Sequence, residues 1–184
     1  MTLSPRPLAV TVYCSSSRQL APVYTAEAEV LGRLIAQRGH SLVYGGGNIG
    51  LMGALARAAL AEGGQVTGVI LKDFLDRGYA QDGHEMHVVT DMRARKQGLE
   101  ELGDAYIALP GGFGTIEEVS EVLALKQLGF HAKPIVFVNT NGFFSPLLSL
   151  FDRAFEEAFI HERFRDVYRV ADTPQAALDL IETA

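Results

Sequence analysis

Three short stretches of this chain bring together groups that bind anions or move protons. Gly45-Gly46-Gly47-Asn48-Ile49-Gly50 follows a short apolar run and leads into a segment rich in alanine and leucine. Its backbone amides and the positive end of the helix it opens could therefore cradle a phosphate. The loop satisfies G-x-G-x-x-G formally, yet the acid that a dinucleotide site needs about 20 residues on is at best Asp73, beyond the next apolar run. The Gly-Lys-Ser/Thr ending of a P-loop is missing. A tight strand-to-helix turn accounts for this loop as well as a phosphate does.

Pro110-Gly111-Gly112-Phe113-Gly114-Thr115 also joins an apolar run to a helical pattern. Thr115-Ile116-Glu117-Glu118 reads as a capping box, in which Thr115 and Glu118 each satisfy the other's backbone amide, worth about 1 kcal/mol and no chemistry. Three glycines within 111–114 exceed what a cap needs, and they favour a backbone that a ligand approaches closely. If Glu118 faces that ligand, the helix N-terminus and neighbouring cations are expected to lower its pKa, which suits a base or a cation stabiliser and not a proton donor. In the third stretch, Asp91-Met92-Arg93-Ala94-Arg95-Lys96, Asp91 is placed to cap a helix whose first two turns carry three cations. The helix dipole disfavours them by about 0.3–1 kcal/mol each, so the cluster is expected to meet an anion. The alternative is a solvated face neutralised by Glu100, Glu101 and Asp104.

Other reactive side chains point elsewhere. Cys14 ends an apolar run with no base beside it and reads as packed core. Being the only cysteine, it excludes an internal disulfide and a zinc site built on several thiolates, which fits a cytoplasmic location. The five histidines, His40, His84, His87, His131 and His161, show no metal-ligand spacing and read mostly as surface or supporting groups. Phe143, Phe144, Phe151, Phe155 and Phe159 read as core or subunit interface.

The three stretches need a scaffold, and the hydrophobic pattern supplies one. Strands are expected at 8–13, 42–44, 66–71, 86–89, 106–109, 135–138 and 167–170. Helices are expected at 21–38, 51–61, 92–102, 116–128 and 146–158, with a last one capped by Thr173 and begun by Pro174. Short apolar strands alternating with amphipathic helices predict an α/β chain with a three-layer, doubly wound, Rossmann-like fold and a mostly parallel central sheet. Ligands bind such sheets at the carboxyl ends of the strands, where both glycine loops and the Cys14-to-Ser17 loop fall. The 184 residues, 48% of them hydrophobic, suit one domain. A net charge of −6 argues against nucleic acid as a partner. The first seven residues lack a signal-peptide pattern and no apolar run reaches a membrane span, so no membrane partner is expected.

Taken together the motifs resemble the LOG ("lonely guy") family of cytokinin riboside 5′-monophosphate phosphoribohydrolases, often labelled as possible lysine decarboxylases, over nearly the whole chain. Residues 45–53 match the family's first glycine signature, and residues 110–118 match P-G-G-x-G-T-x-x-E in full. The family's M-H-x-R-K element falls on 92–96, with Arg93 where histidine is usual, and Ser15 stands where glycine usually follows the cysteine. The resemblance implies a homodimer that hydrolyses the base-to-ribose bond of a purine or cytokinin nucleoside 5′-monophosphate, releasing free base and ribose 5-phosphate. It implies catalysis by Arg95 and Glu118, and substrate binding by Ser16, Gly46, Gly47, Met92, Lys96, Gly111, Gly112, Gly114 and Thr115, with no metal and no cofactor. A nucleotide or molybdenum-cofactor carrier on the same scaffold is the alternative, needing the cradle but not the Arg95 and Glu118 pair. The decarboxylase label would need pyridoxal phosphate on Lys72, Lys96, Lys126 or Lys133.

Overall fold

The computed structural model describes residues 6–184; the absence of a leader pattern in residues 1–5 lies outside them. Seven strands form one sheet: Ala9–Tyr13 (β1), Ser41–Tyr44 (β2), Val66–Leu71 (β3), Glu85–Val89 (β4), Ala105–Ala108 (β5), Ile135–Val138 (β6) and Arg169–Ala171 (β7). Their order is β4-β3-β2-β1-β5-β6-β7, and every pairing is parallel. The expected three-layer doubly wound fold is present, with a sheet more uniformly parallel than predicted. The chain moves outward from β1 in one direction to β4, then returns to place β5 on β1's other side. The topological switch point therefore lies between β1 and β5, where a crevice opens at their carboxyl ends.

Helices cover both faces. Pro22–Gln37 (α1), Gly50–Ala61 (α2) and Pro174–Glu182 (α7) pack on one, while Met92–Leu102 (α4), Phe113–Gln127 (α5) and Ser145–Glu156 (α6) pack on the other. Lys72–Asp76 (α3) is a single turn and a half after β3 that the sequence pattern does not reveal. Two 3-10 turns, Thr140–Gly142 and Glu162–Val167, were likewise not predicted. Strand alternation decides which layer each side chain joins. Val10, Val12 and Cys14 enter the α1/α2/α7 layer, whereas Tyr13 enters the α4/α5/α6 layer; Val136 and Val138 oppose Ile135 and Phe137 in the same way. Thr173 caps α7 as expected, its hydroxyl accepting from the Ala176 amide at 3.2 Å.

α1 and α2 approach closely because both present small residues to each other. A Cβ added at the buried Gly32 would run into the Leu55 carbonyl and the Ala58 side chain. Alanine's helix propensity cannot offset that overlap in a close-packed interior. Gly32→Ala is expected to lower the unfolding free energy by about 1–3 kcal/mol, measured by urea titration.

Candidate active site

The crevice at the switch point is built from three loops tied to one another. The Ser15 amide donates to the Pro110 carbonyl at 3.3 Å, and the Leu51 amide donates to the Ser15 carbonyl at 2.9 Å. The loop after β1 thus holds the start of α2 on one side and the loop before α5 on the other. Gly50, at φ +59°, lies against the backbone of Ser15 to Ser17, so no side chain fits there.

The two glycine loops differ in how closely other groups crowd them. In the first, the Asn48 amide donates to the Tyr79 carbonyl at 2.8 Å, and the Gly46 carbonyl accepts from the Gln81 amide at 2.9 Å. A Cβ at Gly46 would press on Ile70 and Met86, and one at Gly47 on Met52. One amide and one carbonyl of this loop thus hold the segment that follows α3, while the amides of Gly46, Gly47 and Ile49 donate to no acceptor among the described residues. The second loop is open. Helix α5 starts at Phe113 with Gly112 as an N-cap that offers no side chain, and the amides of Gly111, Gly112, Phe113, Gly114 and Thr115 donate to no acceptor among the described residues. Gly111 is required by the Thr115 side chain against it, but a Cβ at Gly112 or Gly114 would meet nothing within 4 Å. Neither has a positive φ. Five free donors at the positive end of a helix, with room left beside them, form an anion cradle.

The capping box is not formed. The helix begins three residues earlier than the pattern suggested, which puts Thr115 inside its first turn, buried, and turns Glu118 toward α4. There Glu118 meets Arg95, whose Nη1 donates to its Oε1 at 2.7 Å. Arg95 is itself anchored: Nε donates to the Val69 carbonyl at 3.2 Å and Nη2 to the Gly45 carbonyl at 3.3 Å. The guanidinium is 10% exposed and the carboxylate 12%. Burial pushes the Glu118 carboxyl above the ordinary carboxylate range, because desolvation outweighs the opposing pull of Arg95. This corrects the expectation of a lowered value, which counted the cations and the helix end but not the loss of water.

Two of the three cations of α4, Arg95 and Lys96, meet anions, and the anions belong to α5. Asp91 caps α4 as predicted, accepting from the amides of Arg93 and Ala94 at 2.9 and 3.0 Å. Lys96 Nζ lies 2.5 Å from Glu117 and 3.2 Å from Glu121. Glu100, Glu101 and Asp104 make no ion pair with this cluster, so the solvated-face alternative fails. Arg93 and Met92 are exposed.

Cys14 is buried core as expected, and desolvation raises its thiol far from reactivity. His40 is not a surface group: it is 3% exposed, accepts from the Leu8 amide at 3.1 Å through Nδ1, and meets Glu182 at 2.9 Å through Nε2. No group of three metal-binding side chains occurs among the described residues.

A cavity of about 210 Å³ opens beside Arg95. Ser16, Gly45 and Gly47 form its polar side, and Ile49, Met52, Ile70, Phe74 and Tyr79 its apolar side. A second, of about 350 Å³, lies across the serine loop between Gly111, Gly112, Tyr24 and Phe143. The fold brings Ser16, Gly47, Arg95, Glu118 and the second loop to one crevice. Phe74 and Tyr79 of the apolar wall were missed because they sit in the five-residue α3 and the turn after it, too short for a periodic signal.

These features define a Rossmann-like α/β protein with an open anion cradle and a buried arginine–glutamate pair at its switch point. Comparison with known proteins agrees. The family model described as "Possible lysine decarboxylase" matches residues 52–181. A cytokinin riboside 5′-monophosphate phosphoribohydrolase of Rhodococcoides fascians is 44% identical over 183 residues, 97% of this chain and 91% of that protein. A probable enzyme of the same name from Oryza sativa subsp. japonica is 41% identical over 174 residues, 94% of this chain and 71% of that one. The chain belongs to the LOG family of cytokinin riboside 5′-monophosphate phosphoribohydrolases. Among solved structures, the molybdenum cofactor binding protein of Rippkaea orientalis superposes with a TM-score of 0.74 at 25% identity, covering 97% of both chains. A Moco carrier protein of Chlamydomonas reinhardtii does so at 0.71 and 22%, which reflects the shared fold alone.

Arg95, on α4, bonds three other parts of the fold at once, so its removal should be felt throughout. Arg95→Met would leave the Val69 and Gly45 carbonyls and a buried carboxylate without partners. It is expected to cost about 3–5 kcal/mol in urea denaturation at neutral pH. The cost should be smaller in mild acid, where Glu118 takes up a proton instead.

Proposed function

We propose that this chain acts as one nucleotide-binding α/β domain that hydrolyses the N-glycosidic bond of a purine or cytokinin nucleoside 5′-monophosphate, releasing free base and ribose 5-phosphate. One observation carries the reading: the free amides at the start of α5 and the buried Glu118 lie on the same helix. From Phe113 to Glu118 the helix rises about 7.5 Å, at 1.5 Å per residue, a distance on the scale of a ribose 5-phosphate. A phosphate seated on Gly111, Gly112, Gly114 and Thr115 would thus present its sugar to the carboxylate. Ser16, Gly46, Gly47 and Met92 complete the binding set in this reading, with the base toward the cavity beside Arg95.

Cleavage develops oxocarbenium character at the sugar, and an anion fixed in a water-poor site stabilises it. Glu118 supplies that anion. Its raised proton affinity also makes it a stronger base toward water than an exposed carboxylate, and opens the proton-donor role that a lowered value would exclude. Arg95 orients the carboxylate and keeps its own proton, as guanidinium groups do. The reaction is written with no metal or cofactor.

The alternative of a cofactor carrier shares the fold and needs the cradle, but gives no use for a desolvated carboxylate held at 2.7 Å by an anchored arginine. The decarboxylase description needs a free lysine in the crevice. Lys72 is exposed and paired with Asp76, Lys96 is paired with two carboxylates, and Lys133 donates to the Glu100 carbonyl. Lys126, which burial shifts downward, stands at the far end of α5.

The protein is further proposed to be a cytoplasmic homodimer. No helix among the described residues is long and apolar enough to cross a membrane. Of α6 only Phe155 is buried; Leu150 on that helix, Leu128 and Phe130 just after α5, and Phe159 just after α6 are exposed. In a dimer they would be covered.

Chromatography of products from AMP, N6-isopentenyl AMP and adenosine tests the activity. Free base should appear from the monophosphates at least about 100-fold faster than from adenosine, since phosphate binding positions the reacting centre. Glu118→Gln, which keeps the hydrogen bond from Arg95, should lower turnover by about 10²–10⁴-fold while still binding nucleotide. Equal rates for AMP and adenosine would refute the cradle. In light scattering the wild type should weigh twice its 19.9 kDa chain, and Phe159→Glu with Leu128→Glu should halve that mass.

A further inference from the structure

The placement of Lys96 does not match a phosphate ligand. Its Nζ sits 2.5 Å from Glu117 and 3.2 Å from Glu121, one turn apart on α5, and the side chain is only 19% exposed. We propose that Lys96 is a positioning residue: it straps α4 to α5 through Glu117 and Glu121, and so fixes Glu118 against Arg95 instead of holding the substrate phosphate. The inference rests on the hydrolase reading above for its consequence in turnover, though not for its geometry.

The mechanical argument concerns rotation. Arg95 fixes α4 to the sheet through the carbonyls of Val69 and Gly45. Helix α5 carries both the proposed phosphate cradle and Glu118, so a small turn about its axis would shift both together relative to Arg95 and the cavity beside it. A single contact from Arg95 to Glu118 permits such a turn. Two further contacts at positions four residues apart, made by the neighbouring side chain of α4, oppose it. Each of these pairs is partly exposed on the carboxylate side and contributes little to folding by itself.

The electrical argument concerns three carboxylates on little more than one turn. Glu118 is faced by Arg95 and Lys96 from α4, by Glu117 from its own helix, and by Tyr13 and Cys14 from the end of β1. Glu117 raises its proton affinity and Lys96 lowers it. Without Lys96 the balance shifts upward, so the ionised form that stabilises a cation is lost at a higher pH.

The test compares wild type, Lys96→Met, Lys96→Arg and Lys96→Met with Glu117→Gln. Steady-state kinetics with AMP and the carbon-13 titration of the Glu118 carboxyl are the two readouts. Lys96→Met should stay folded with KM within about twofold, while kcat falls about tenfold and the acid limb of its pH profile moves up. Lys96→Arg should recover most of kcat. Adding Glu117→Gln should return the Glu118 titration toward its wild-type midpoint. A rise in KM that exceeds the fall in kcat, with no change in that midpoint, would make Lys96 a phosphate ligand and overturn the proposal. If wild type releases no base, the hydrolase reading fails, and the titration alone decides the role of Lys96: a midpoint unmoved by Lys96→Met refutes it.

Discussion

A buried guanidinium is tolerable only where its donors are occupied, and that requirement organises this protein around Arg95. Its side chain reaches the carbonyl of Val69 in β3, the carbonyl of Gly45 after β2, and the carboxylate of Glu118 on α5. Three parts of the fold are thereby held in one register by a residue of a fourth. A carboxylate that would otherwise be costly to bury gains its partner, and a helix whose packing against α4 is slight gains a fixed orientation.

From this pair the division of labour in the crevice follows. The first glycine loop pairs with the segment around Tyr79 to Gln81 and thereby fixes one wall of the cavity beside Arg95. The second loop keeps its amides free and has glycines with nothing to pack against. Similar glycine-rich sequences thus differ in surroundings, one crowded by neighbouring side chains and one with open space beside Gly112 and Gly114. The serine loop, hydrogen-bonded to both, sets the distance between them.

The electrostatics of Glu118 show why counting neighbours is insufficient. Helix end, Arg95 and Lys96 all favour its ionised form, yet burial dominates and the carboxyl retains its proton more readily than an exposed one. A desolvated carboxylate beside a fixed cation is stronger both as a base and as a source of field than one in water. The same burial makes Cys14 inert, since no cation is close enough to compensate it as fully.

The residues themselves determined the class of fold, the strand positions to within a few residues, and the glycine-rich and charged stretches that meet at the crevice. Hydrophobic periodicity, glycine clusters and the Asp91 cap are local properties, legible wherever the chain meets water on one side and core on the other. Only the tertiary structure decided which charges meet. The partners of Arg95 and Lys96 are more than 20 residues away, and the competing local pattern of Thr115 and Glu118 is lost because α5 begins at Phe113. Tertiary structure likewise tied the first glycine loop to the segment after α3, left the amides of the second without acceptors among the described residues, and brought Phe74 and Tyr79 to the wall of the cavity beside Arg95. Burial, hydrogen-bond partners at a distance and the resulting proton affinities depend on what the folded chain excludes from water, and no local pattern encodes that.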